Sequence, residues 1–198
     1  MSKVYICGPR DCPRGDNKIG KTIVNTTSRM GWSSGLSPFL IGSCNLFEGY
    51  TSKNMENAWQ FSKVYAKVGG IEMVDAGGNP NRNYWKWAKS GWNDNYAHRY
   101  PAGKGTIPLY SLWEGEKLGY IEARARIYIP LYAAAVKTTN AFAKLKEMYE
   151  TEEELWLWDF DGYNHRALNM NWDQVKNNPS KKMGHAFVLG MLLEGRLS

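Results

Sequence analysis

Two kinds of apolar pattern occupy different stretches of the chain. Within the first 50 residues, Val4-Tyr5-Ile6 and Thr22-Ile23-Val24 are short β-branched runs among Gly, Pro, Ser and Thr. They predict short strands joined by turns. From Ser52 to Val68 the pattern becomes helical: Met55, Ala58, Trp59, Ser62 and Ala66 recur on one face, and Gly69-Gly70 closes the segment. Residues 69–111 carry Gly, Asn and Trp with little periodicity and are too long for an idle loop, which predicts a structured excursion such as a lid or pocket wall. Helices return over Glu116 to Ile129, with Pro130 in the first turn of the next. Asn140 to Glu150 follows, with Phe142, Leu145 and Met148 at spacing three, then Thr151 and Glu154 as a capping box. A last helix is expected from Pro179 to Glu194, with Asn178 as N-cap and Gly195 past its end. The pattern reads as one α+β domain over residues 1–198, mostly α-helical with a small β component.

Composition narrows the possible functions. A chain of 198 residues can bury a sizeable core. Nine Trp and twelve Tyr exceed what such a core needs, and their rings can stack on bases or sugars. The net charge of +6 favours anionic partners, but the basic residues are scattered rather than gathered into a tail. Cys7, Cys12 and Cys44 form no CxxC pair and no metal-ligand spacing, so neither a metal nor a cofactor is expected. Their odd number without a signal peptide fits a reduced, cytoplasmic compartment. No apolar run approaches the roughly 20 residues of a membrane span.

Three segments carry candidate chemistry. Gly15 to Thr22 reads GDNKIGKT, a formal phosphate-loop match. The two prolines before it disfavour a strand, and the β-branched residues after it disfavour a helix, so a basic turn between strands is expected. Leu155 to Tyr163 reads LWLWDFDGY, an apolar strand ending in Asp159 and Asp161. Paired carboxylates there could bind metal or act as acid and base. Only 35 residues follow Tyr163, too few for the phosphatase folds that use such a motif, and an Asx-type turn is the ordinary alternative. Finally, Glu56, Gln60, Lys63 and Lys67 fall at helical spacings of four, three and four. That stripe is either a solvated face or a usable catalytic row.

The segment NMENAWQFSKVY resembles the NADAR signature, in which Glu, Gln and Lys follow one another along a helix; here they are Glu56, Gln60 and Lys63. Other features agree in order over residues 36 to 196. Leu36-Ser37-Pro38-Phe39 is similar to that family's entry segment, and Trp113 precedes the GYIEARARIYIPLYA helix. Glu154 with Asp159, and Leu189-Gly190 with Leu193 and Arg196, are similar to its closing motifs. Asp161-Gly162 replaces the family's Trp-Gly, and Phe187 replaces an Asn.

The resemblance implies a YbiA-like fold and an enzyme cleaving an N-glycosidic bond of an ADP-ribose derivative, an ADP-ribosylated nucleobase or a related nucleotide. ADP-ribosylated nucleic acid is an implied partner. Such a bond breaks through an oxocarbenium-like ribose, which calls for a nearby carboxylate and a donor to the leaving nitrogen. On this reading Glu56 is the carboxylate or general base, and Asp159 positions water or protonates the leaving group. Lys63 contacts phosphate or forms a Schiff base. Gln60, Asp161, Trp113, Trp85 and Trp92 contribute to binding. Gly184 and Gly190 let backbone approach the ligand, unless they serve tight helix packing. His185 is read as a satisfied core histidine. Two other classes remain open: a non-catalytic nucleotide or nucleic-acid binding module, and a P-loop phosphotransferase built on Gly20, Lys21 and Thr22.

Overall fold

The computed structural model describes residues 3–29 and 31–197. The chain begins with β1 (Val4–Cys7) and β2 (Thr22–Asn25), then β3 (Cys44–Asn45), β4 (Thr51–Ser52) and helix α1 (Met55–Gln60). Next come β5 (Lys63–Val64), β6 (Lys67–Val68), β7 (Ile71–Glu72), α2 (Arg82–Trp92), β8 (Tyr110–Trp113) and β9 (Glu116–Leu118). The remainder is helical apart from one strand: α3 (Tyr120–Ala123), α4 (Ile129–Val136), α5 (Asn140–Thr151), β10 (Leu155–Trp158), α6 (Trp172–Asn177) and α7 (His185–Leu193). The fold is mixed α+β. Among the described residues no helix is long and apolar enough to cross a membrane. The chain divides into two compact units, one from Met1–Leu40 and Tyr132–Ser198, the other Ile41–Leu131.

The first unit is built on a three-stranded parallel sheet in the order β1–β10–β2. Val4 pairs with Leu155 and Leu155 with Thr22, so the central strand lies between two strands from the start of the chain. Leu155, Trp156 and Leu157 are all buried, as expected of a parallel strand covered on both faces. Helix α7 packs on this sheet and is apolar around its whole circumference, the signature of a buried helix. Gly15 to Thr22 is a single 3₁₀ turn over Gly15–Lys18 leading directly into β2. No helix follows Lys21, so the phosphate-loop geometry is absent there.

The second unit is a set of short antiparallel pieces around an aromatic core. β5–β8–β9 form one sheet, while β3–β4 and β6–β7 are hairpins. Phe47, Phe61, Val64, Met73, Tyr84, Ala88, Trp92 and Leu112 form its main cluster. Leu118, Ala123 and Ile127 form a second.

Several predicted boundaries move. The helix expected over 52–68 stops at Gln60, because Val64 is drawn into pairing with Tyr110 and is fully buried. Gly69 and Gly70, with φ of 56° and 82°, turn the β6–β7 hairpin instead of capping that helix. Residues 116–118 form strand β9, not the start of a helix. Between α3 and α4 a π-turn covers Arg124–Tyr128, where the Ile129 N–H reaches back five residues to the Arg124 carbonyl just before Pro130. Thr151 ends α5 and caps nothing beyond it, its hydroxyl donating back to Glu147. The last helix, expected from Pro179, begins only at His185 with Gly184 as its N-cap, and Asn178 is the C-cap of the preceding, unpredicted helix α6 rather than an N-cap.

Candidate functional site

Helix α1 begins at Asn54, whose side chain accepts the Asn57 N–H at 2.8 Å. That cap sets the rotation of the six-residue helix. Met55 and Ala58 are fully buried, and Glu56 and Gln60 are turned inward as well, at 6% and 9% exposure. Gln60 Nε2 donates to Glu56 Oε1 at 2.8 Å, and Lys63 Nζ donates to Gln60 Oε1 at 2.7 Å. The three side chains thus form a hydrogen-bonded row. An amide can serve both ends only with its oxygen towards an amine and its NH₂ towards a carboxylate, so the row has a fixed polarity. Lys63 reaches the row from β5, one turn past the end of the helix. Its ammonium lies 4.7 Å from the centre of the Trp59 ring. Lys67, the fourth member of the predicted stripe, instead lies on β6, exposed and paired with Glu72 at 2.7 Å.

One organising residue was not singled out from sequence. Asn57 is fully buried, donating to the carbonyls of Gly91, Asp94 and Tyr96 and accepting the His98 N–H at 2.8 Å. It ties the loop after α2 to the helix that carries Glu56. The available signal was an Asn inside an otherwise good helical stretch.

Of the predicted stacking rings, one is sealed in the core and two are partly exposed. Trp92 is 1% exposed among Phe47 and Tyr50 and is a core ring, closed to a ligand base. Trp113 packs edge-on against Phe47 at 5.2 Å, partly buried against both clusters. Trp85 is partly buried beside Tyr50, with the Lys89 ammonium above its ring.

The other predicted residues lie in the first unit. Asp159 follows the central strand and is buried. Its Oδ2 accepts the Ala186 N–H at 3.1 Å and faces His185 Nδ1 at 3.0 Å, while Oδ1 accepts the Asp161 N–H at 3.2 Å. Burial pushes this carboxyl up, but the charge and hydrogen bond of His185, with the two backbone donors, outweigh it and hold the group at about 2. It is therefore ionised at neutral pH and cannot protonate a leaving group; what the carboxylate does is cap α7 from outside the helix. His185 Nε2 faces the Thr26 carbonyl at 2.9 Å, which can only accept, so that nitrogen bears hydrogen. His185 is a partnered core histidine.

Gly184 has a direct reason. A Cβ there would stand 2.1 Å from Asp159 Oδ2. Gly190 has another, since a Cβ would stand 2.8 Å from the Trp172 ring and 3.2 Å from Ile6. Both glycines serve close packing. Asp161 is half-buried, with Lys182 Nζ 3.8 Å from its Oδ1.

Compared with family models, curated proteins and solved structures, the chain matches none of them.

Proposed function

We propose that this chain is a YbiA-like enzyme of the NADAR type that hydrolyses the N-glycosidic bond of an ADP-ribose derivative or related nucleotide. The observation that carries the reading is the polarised row Glu56–Gln60–Lys63, buried at its carboxylate and amide and partly exposed at its amine. Its three residue types are those of the motif that the sequence resembles, and hydrogen bonds join them although only two lie on the helix. In the reaction the bond between the anomeric carbon and nitrogen breaks, with its electron pair leaving on nitrogen. Glu56 stabilises the cationic ribose, accepts the proton of the attacking water and hands it to the leaving nitrogen, so no net proton is consumed. Gln60 holds Glu56 in place. Lys63, steadied by Trp59, meets the ligand's phosphate or its opened ribose. Asp159 is left out of the chemistry.

Incubation with ADP-ribose, ADP-ribosylated DNA and nucleotide N-glycosides, with products read by mass spectrometry, tests the reading. Wild-type protein should release a free base or a ribose with a new hydroxyl. Glu56→Gln should retain the fold and ligand affinity while losing on the order of 100-fold or more in turnover. Full activity in Glu56→Gln would refute the role of Glu56. Ligand binding with no product from any substrate would instead mark a non-catalytic nucleotide module.

A further inference from the structure

The carboxyl edge of the β1–β10–β2 sheet opens into a cavity of about 820 Å³, within the range that takes a nucleotide-sized ligand. Its walls come from residues 9–11 after β1, residues 160–164 after β10, and residues 180–182 before α7, with Ala167 and Leu168 closing one side. Ligands of parallel sheets gather at this edge because the strands end together and their loops diverge.

The loops forming it are fixed in place. The Asp11 carboxylate accepts the N–H of Gly8 from its own loop and the N–H of Asn164 from the other. A Cβ on Gly8 would lie 2.1 Å from the Gly162 oxygen, and one on Gly162 would lie 2.2 Å from the Cys7 oxygen. The two backbones therefore touch where no side chain fits. Arg14 donates to the Pro9 carbonyl at 2.7 Å and braces the first loop from behind. A wall held in this way is already shaped before a ligand arrives, which lowers the ordering cost of binding.

The chemistry of the lining is cationic with an aromatic shelf. Arg10, Lys181 and Lys182 face two carboxylates, Asp11 and Asp161. Lys182 Nζ stands 3.8 Å from Asp161 Oδ1, and three cations against two carboxylates leave the lining net positive. Phe160 is 45% exposed, braced edge-on by Trp158 at 4.8 Å, and presents an open apolar ring at the rim. Cations suit phosphate oxygens, and an exposed ring suits a planar base.

We propose that this cavity is a nucleotide site in its own right, taking the phosphates on Arg10, Lys181 and Lys182 and the base on Phe160. It does not depend on the reading of Glu56. The test is titration calorimetry of the full chain with ADP, inorganic pyrophosphate and adenosine. ADP should bind saturably and more weakly as salt rises, pyrophosphate less tightly, and adenosine weakest. Lys181→Ala with Lys182→Ala should weaken ADP at least tenfold, and Arg10→Ala should also weaken it. Phe160→Ala should weaken ADP and leave pyrophosphate unchanged. Near-ultraviolet circular dichroism should show each variant folded, since the altered side chains are at the surface. ADP binding that is lost in Lys63→Ala and intact in the double lysine variant would place the ligand elsewhere and overturn the proposal. So would the absence of saturable ADP binding up to millimolar concentration.

Discussion

Replacing Asp159 with Asn tests how the first unit holds its longest buried helix. The substitution preserves shape and removes charge, yet no orientation of the amide satisfies its neighbours. If the amide oxygen takes the Oδ2 position, it can still accept from Ala186, but its NH₂ then meets the Asp161 N–H, donor against donor. If the NH₂ takes the Oδ2 position, it meets the Ala186 N–H instead. In both orientations His185 loses the carboxylate facing it at 3.0 Å. Losing one partner of a buried ion pair costs about 3–5 kcal/mol, which for a chain of this length lowers Tm by about 6–20 °C. Urea unfolding followed by tryptophan fluorescence, with thermal melts, measures this directly. The acid limb gives an independent check. A carboxyl held at about 2 in the fold and at 3.8 when free adds stability above pH 4 that disappears as pH falls through 2. That linkage is worth about 2 kcal/mol, less than the substitution costs because it leaves no orphaned hydrogen bond. Asp159→Asn should flatten the limb. A variant within about 0.5 kcal/mol of wild type, with the acid limb unchanged, would refute Asp159 as a structural cap.

Three further substitutions probe the same unit. His165 is 2% exposed, its ring tilted against Trp172 at 4.2 Å, and its Nδ1 has no hydrogen-bond partner. Burial and then the charge of Arg166 lower it to about 4, against 6.5 when free, so the unfolded chain takes up the proton first as pH falls. Stability should fall between pH 6.5 and 4 by up to about 3 kcal/mol, and His165→Phe should remove that dependence in urea midpoints compared at pH 7 and pH 5; an unchanged slope would contradict the burial of a neutral ring. Alanine at Gly190 meets a ring edge that can shift, whereas alanine at Gly162 meets the Cys7 carbonyl. Gly190→Ala should cost about 1–3 kcal/mol and Gly162→Ala more, and the opposite order in chemical denaturation would show that the β1 and β10 loops yield more easily than the core.

Much of the scaffold was legible where local pattern and tertiary demand coincide. Val4-Tyr5-Ile6, Thr22-Ile23-Val24 and LWLW are strands because their apolar content suits a sheet covered on both faces. Helix α2 was not anticipated, although Tyr84, Ala88 and Trp92 recur every fourth residue and Asn81 accepts the N–H groups of Asn83 and Tyr84. The abundance of Trp and Asn around them hid that spacing. The end of α1 was unreadable for another reason: Val64 pairs with a residue 46 positions away, and no local rule reports that partner. The row through Glu56, Gln60 and Lys63 could be read at helical spacing, although Lys63 reaches Gln60 from a strand. The capping role of Asp159 could not, since it depends on a helix that begins 26 residues later.

The strand order of the first unit also governs when it can form during synthesis. β10 lies between β1 and β2, yet it is made about 130 residues after β2. Until it emerges from the ribosome, the two early strands have no central partner and expose unpaired edges. The second unit is continuous in sequence, from Ile41 to Leu131, and all of it has been made well before that moment. A nascent chain stalled once residue 131 has emerged but before β10 does should therefore protect residues 41–131 from protease while the first 40 are cut. Chaperone occupancy on such stalled chains should concentrate on the two waiting strands.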